Sequence, residues 1–187
     1  MATDYQKLAE NLTRFYDFAE KTVLYVGAGG RQLLDPAVKN RRLIAIDRDA
    51  GSLAGLNIET VAADFEEVRL SGDVVYFEFC LHEMRDPLKA LHHARTLAPD
   101  TVVFDHSPGS EWIFLGAEEE QVSRSSAAMV EFGIRRRETL HMEQRFQEYG
   151  ELLAKVRGQG KVAIERTRRF EGVTGIGIPM DCELALL

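Results

Sequence analysis

Two short stretches carry the side chains best suited to proton transfer and substrate binding. "FEFCLHEM" holds Glu78, Phe79, Cys80, His82 and Glu83, and "FDHSPGSEWIF" holds Asp105, His106 and Trp112. A histidine titrates near neutrality and serves as a general base at physiological pH, which makes His82 and His106 the candidate bases. His82 can equally bond a backbone group as part of its loop. Glu78 has apolar neighbours, and a buried carboxylate needs a partner: a cationic acceptor, a ligand ammonium or an arginine. Glu83 reads as a substrate contact or as an acid at a helix start, and Trp112 as an aromatic wall. Asp105 with His106 makes too thin a ligand set for a metal site, so no metal is expected. Cys80 reads as a small buried filler, and His92 and His93 as surface or packing residues.

A second group of residues has the chemistry to hold a nucleoside. "VLYVGAGG" (23–30) is an apolar run that breaks into glycines. Glycines at such a turn either let a helix pack on a strand or let a ligand lie against bare backbone. Asp47 ends the next apolar run, "LIAID", where a carboxylate can accept both hydrogen bonds of a ribose diol. Asp64 ends the one after, in "VAADFEEV"; it can take an exocyclic amine, with Phe65 covering a ring. For both acids the competing role is a cap on the following turn. G-x-G-x-x-G fails at Gln32, and the chain has no room for a second catalytic domain of the dehydrogenase type.

Strands alternating with helices must position these groups. A helix is expected over 4–20, where Tyr5, Leu8, Leu12, Phe15 and Ala19 recur at spacings of three and four. "TVLYVG", "RRLIAID", "IETVAAD", "GDVVYFEFC" and "DTVVFDH" read as five strands. "DPLKALHHARTL" reads as a helix, with Asp86 as N-cap and Pro87 in its first turn. This rhythm predicts a mainly parallel sheet covered on both faces. Residues 111–157 read as mostly helical. "KVAIERTRRF" and "MDCELALL" read as two strands joined by "EGVTGIGIP", an antiparallel hairpin at the sheet edge. The whole chain reads as one domain.

The four segments "VLYVGAGG", "LIAIDRD", "VAADFEEV" and "DVVYFEFCLHEMRDPLKALHHARTLAPD" followed by "TVVFDH" resemble the class I S-adenosylmethionine-dependent methyltransferases. The resemblance implies a Rossmann-like, doubly wound α/β fold: a mainly parallel seven-stranded sheet with a C-terminal antiparallel hairpin. It implies S-adenosyl-L-methionine as cofactor. Tyr25, Gly27, Ala28 and Gly29 would lie at its methionine part, Asp47 and Arg48 at the ribose, Asp64 and Phe65 at the adenine, and Phe79 beside them. Glu78, Glu83 and Trp112 would meet the acceptor, with His82 or His106 as base. Two positions depart from the family pattern. Tyr25 stands where an acid is usual two residues before the first glycine, and Arg31 where a third glycine often occurs. The alternative is a protein of the same fold that binds the cofactor without transferring its methyl group.

Composition narrows the acceptor. The chain has 187 residues, 45% of them hydrophobic, and a net charge of −7. That balance disfavours a long nucleic-acid track. An "N-P-P-Y"-like motif, which accompanies methylation of amides and nucleobases in this family, is absent after strand four. A small-molecule acceptor is therefore expected. Two cysteines, no leader-like N-terminus and no apolar run of bilayer length predict a cytoplasmic chain without membrane attachment. "FGIRRRETLHMEQRFQEYGELLAKV" stands where substrate-covering insertions occur. Its arginines read as a salt-bridged surface. Phe132, Met142, Phe146, Tyr149 and Leu153 form an apolar face that would cap a pocket or meet a second copy of the chain.

Overall fold

The computed structural model describes residues 4–28, 34 and 41–187, with the backbone alone for 4–6. A seven-stranded sheet organises the chain, in the order β3-β2-β1-β4-β5-β7-β6. The strands are β1 Thr22–Val26, β2 Arg42–Asp47, β3 Glu59–Ala62, β4 Val74–Glu78, β5 Asp100–His106, β6 Arg136–Glu148 and β7 Thr174–Leu186. The first five pair in parallel, and β7 runs antiparallel to both β5 and β6. Strand order reverses between β1 and β4, which opens a crevice beyond their carboxyl ends.

Burial explains why these segments are strands. All five residues of β4 are buried, as are four of five in β1. Such continuous apolar runs need cover on both faces. Alternate residues accordingly feed two cores. Val23, Tyr25, Tyr76, Phe104 and Leu184 share one with α1 (Asp4–Phe15), α3 (Glu111–Gly116), α5 (Tyr149–Val156) and α6 (Lys161–Thr167). Leu24, Val26, Val75, Phe77 and Val103 share the other with α2 (Pro87–Leu97) and α4 (Glu119–Phe132). Helix α1 offers Leu8, Leu12 and Phe15 on one stripe. Helix α2 starts as its sequence implies: the Asp86 carboxylate accepts from Lys89 N at 3.0 Å, and Pro87 fills the first turn.

The last third departs from expectation in two places. The reading of 111–157 as mostly helical holds for α3, α4 and α5, but Arg136–Glu148 is a strand. Its even-numbered residues Leu140, Met142, Gln144 and Phe146 turn partly inward, and their charged neighbours turn to solvent. This is the period of a half-exposed edge strand. Conversely, most of "KVAIERTRRF" forms α6, because Ala163 and Thr167, one helical turn apart, are the residues that bury. The antiparallel pair at the edge is therefore β6 with β7. It is connected through α5 and α6, not through a tight turn. "TGIGIP" belongs to β7 itself. Pro179 falls where β7 has only β6 as ladder neighbour, since β5 pairs from Cys182 onward, so a missing N–H leaves no ladder bond unmade there. This free length of β6 and β7 stands above the carboxyl edge of the sheet.

The glycine turn after β1 is set partly by packing. Gly27 has φ +76°, and a Cβ there would lie 2.5 Å from Cys80 Cβ and 2.6 Å from its Sγ. Cys80 sits against the turn, and its thiol donates to Val26 O at 3.3 Å. Gly27→Ala should destabilise the fold by about 2–4 kcal/mol, combining left-handed strain with overpacking against Cys80. Urea unfolding of both proteins measures this; an unchanged midpoint would mean that the turn has room to spare.

Candidate active site

A cavity of about 690 Å³ opens at the switch point and runs from Asp47 and Asp64 to His82, His106 and the β6–β7 extension. Its size suits a small-molecule site. At one end lie the carboxyl edges of β1, β2 and β3. Asp47 ends β2, and its Oδ1 accepts from Asp49 N at 2.9 Å. Asp64 caps a 3₁₀ turn at Phe65–Glu67, its Oδ1 accepting from Glu66 N at 3.0 Å. The turn-capping role of each acid is thus present. The second oxygen of each makes no hydrogen bond among the described residues. Phe65 is 4% exposed and packs edge-on against Phe77 and His93, so its ring belongs to the core and borders the cavity by little more than an edge. Arg48 is exposed beside Asp47. Gly27 lines the cavity and Ala28 is buried behind it; Gly29 and Arg31 lie outside the described residues.

Tyr25 does not stand alone. It donates to Glu78 Oε2 at 2.6 Å, and Tyr76 donates to the same oxygen at 2.9 Å. Parallel β1 and β4 put the two tyrosines in register, with their rings 5.2 Å apart. Glu78, 4% exposed, thereby places a carboxylate on the cavity wall next to Gly27. Phe79 follows with φ +47°, a left-handed conformation that costs an aromatic residue about 1 kcal/mol or more. The turn is held by Phe79 N donating to Phe104 O at 2.8 Å and by its ring against Phe104 and His106.

At the other end, Asp105 organises the site. Its carboxylate is fully buried and accepts from His82 Nδ1 at 2.5 Å, His82 N at 3.0 Å and His106 N at 2.8 Å. His82 is 4% exposed and lines the cavity. With Nδ1 spent on Asp105, Nε2 is the ring nitrogen left for a ligand. Burial depresses the His82 pKa, but the hydrogen bond and charge of Asp105, helped by Glu118 and Glu83, outweigh it and raise the pKa above 6.5. His106 behaves oppositely. Burial pushes it down to about 4, so it is neutral at physiological pH, and its Nδ1 is buried without a partner among the described residues. The two imidazoles meet edge to face at 5.4 Å.

Three elements beyond β5 close this end. Trp112 of α3, 4% exposed, stacks on Phe146 at 6.0 Å and walls the cavity with Met142 and Met180. Glu83 is exposed at the rim. Glu118, just before α4, accepts from Gln159 Nε2 at 3.0 Å, and both line the cavity. Burial raises the Glu118 carboxyl above its ordinary pKa. Neither Glu118 nor Gln159 carries a sequence signal; packing of α3, α4 and the turn after α5 brings them in. His92 meets Phe132, and His93 Nε2 lies 3.1 Å from Val68 O, both away from the cavity.

No protein-family model matches the chain, and no curated protein matches its sequence. Solved structures do match in shape. A Bacillus halodurans protein described as a methyltransferase aligns at 14% identity and TM-score 0.68, over 99% of this chain and 98% of that one. The YcgJ protein of Bacillus subtilis aligns at 13% identity and TM-score 0.68, over 96% of this chain and 97% of its own. The plantazolicin methyltransferase BpumL, solved with a triazolic desmethylPZN analog and SAH, aligns at 14% identity and TM-score 0.51, over 97% of this chain and 84% of its own. The strand order and these matches together define the chain's architecture as the class I methyltransferase fold.

Asp105→Asn should lower the His82 pKa, because burial would then act without the charge that opposes it. Histidine-detected NMR titration measures this, and an unmoved pKa would dissociate the pair. The linkage has a definite sign. The folded state holds the His82 proton more tightly than an unfolded histidine near 6.5, so the pair's stabilisation is complete below that pH and is lost as pH rises through the raised value. His106 contributes stability above 6.5 that is lost as pH falls toward about 4.

Proposed function

We propose that the protein transfers the methyl group of S-adenosylmethionine to a small-molecule acceptor. The observation that carries this reading is one continuous cavity joining Asp47, at the nucleoside end, to the Asp105-held His82 at the other. The fold supports it, and BpumL was solved with SAH. The residues present fit such a cofactor. Asp47 keeps an oxygen for a ribose diol, Asp64 keeps one for an exocyclic amine, and Glu78 places negative charge beside Gly27. Gly27 and Gly29 would cradle the methionine part, with Ala28 buried behind the turn and Tyr25 acting only through Glu78, and Arg48, Phe65 and Phe79 would border the rest. Glu83 and Trp112 would meet the acceptor.

Bound there, the cofactor supplies a methyl carbon already activated by positive sulfur. The chain's own work is alignment, exclusion of water and removal of a proton. Trp112, Met142 and Met180 shield the far end. His82 Nε2 takes the acceptor's proton, and Asp105 stabilises the imidazolium that results and fixes the ring. His106 stays neutral and supports the wall, so of the two candidate bases the geometry favours His82.

Calorimetry with S-adenosylhomocysteine should show binding that Asp47→Ala weakens by about 1.5–3 kcal/mol, the range for a hydrogen bond to a charged group. Unchanged affinity would remove Asp47 from the site. With a turned-over acceptor, the rate should rise with pH through the raised His82 pKa, and His82→Gln should abolish that limb. A limb that persists in the variant would assign the base elsewhere.

A further inference from the structure

The acceptor end of the cavity is built mostly from hydrogen-bond acceptors. His82 spends its Nδ1 proton on Asp105, so the neutral ring offers Nε2 as an acceptor. Glu118 receives Gln159 Nε2 on Oε1 and keeps Oε2. Gln159 turns its amide nitrogen to that carboxylate, which leaves its Oε1 buried with no partner among the described residues. Room for this pair comes from Gly116, where a Cβ would stand 3.1 Å from Gln159 Nε2 and 3.2 Å from Glu118 Oε2. Glu118 and His82 are close enough to perturb each other's charge. Among the described lining residues, seven carboxylates face three cationic side chains, so the cavity attracts positive charge. Lys155 lines this end too, near enough to His106 to help lower its pKa, and Glu118 and Glu83 set two carboxylates against that one cation. The Gln144 amide is also committed, to Met180 Sδ at 3.1 Å.

Building on the methyl-transfer reading, we infer that the acceptor is a primary or secondary amine, held as its ammonium by Glu118, which Gln159 orients, and deprotonated by His82. An ammonium brings two or three N–H donors to a site that presents His82 Nε2 and Glu118 Oε2. A hydroxyl brings one donor and cannot satisfy both. A carboxylate would set negative charge against Glu118, Glu83 and Asp105. Neutral His106 does not repel a cation. The step balances: one N–H proton passes to His82 Nε2, the freed lone pair attacks the methyl carbon, and a C–N bond forms as the C–S bond breaks. The electron pair goes to sulfur. The products are the N-methylammonium and S-adenosylhomocysteine, and the His82 proton leaves to solvent.

The test uses three near-isosteric probes, benzylamine, benzyl alcohol and benzoate, titrated at mildly alkaline pH, where His82 is neutral and benzylamine is still an ammonium, into the full chain saturated with S-adenosylhomocysteine and followed by ligand-observed NMR. Benzylamine should bind at least about tenfold more tightly than either other probe, the margin expected of a charge-assisted hydrogen bond. Glu118→Gln should erase that preference, and Gln159→Leu should weaken it, with thermal melts confirming that both variants fold. The inference is overturned if benzyl alcohol or benzoate binds as well as the amine, if the amine does not bind, or if the preference survives Glu118→Gln. Failure of S-adenosylhomocysteine to bind would instead overturn the methyl-transfer reading, so the two failures are distinct.

Discussion

The site depends on a buried carboxylate. Asp105, near the end of β5, lies wholly out of water and accepts three hydrogen bonds, two from His82 in the loop after β4 and one from His106 N of its own strand. An ionised group so placed survives only if its lone pairs are met, and here they are met by a histidine ring and two backbone amides. The loop after β4 must therefore come to β5. It does so through a left-handed Phe79, whose strain is repaid by its bond to Phe104 O and by its ring contacts. The orientation of His82 and its raised pKa both follow from that one constraint. Removing Asp105 would undo the geometry and the electrostatics together.

A second buried carboxylate balances the other half. Tyr25 replaces the acid usual at the end of the first strand in this fold, yet its hydroxyl and that of Tyr76 both reach Glu78. The carboxyl group stands one strand over, on β4 and not β1, on the cavity wall beside the glycine turn. Parallel register is what makes the exchange workable: β1 and β4 carry the two tyrosines at the same level, and Glu78 lies two residues further along.

Much of this was legible in the sequence, and the exceptions have physical reasons. The alternation of "VLYV", "LIAI" and "DVVYF" with helical stretches specifies a parallel sheet, because strands buried on both faces must be apolar throughout. The Asp86–Pro87 helix start is equally local and equally readable. β6 escaped because an edge strand needs only one apolar face. In "RRETLHMEQRFQE" the charged outer face hides an inward alternation of Leu140, Met142 and Phe146. The α6 segment reads as a strand because Val162 and Ile164 suggest a period of two. Burial of Ala163 and Thr167 decides otherwise. The partnership of His82 and Asp105 joins residues 23 apart. His82 reads singly as a loop residue and Asp105 as the end of a strand. Only the adjacency of β4 and β5, whose carboxyl ends must lie side by side, could have suggested that they meet. Glu118 and Gln159 leave no local pattern at all, since their pairing arises from helix packing around Gly116.

In the proposed function one cavity holds a nucleoside at Asp47 and presents the transferable group to His82. A crystal structure of the full chain with S-adenosylhomocysteine is the decisive measurement. The expected density places the ribose hydroxyls on Asp47, the base beside Asp64, and the sulfur turned toward the chamber bounded by His82 and Glu118. Adenosine density in that chamber, or the sulfur facing away from His82, would contradict it.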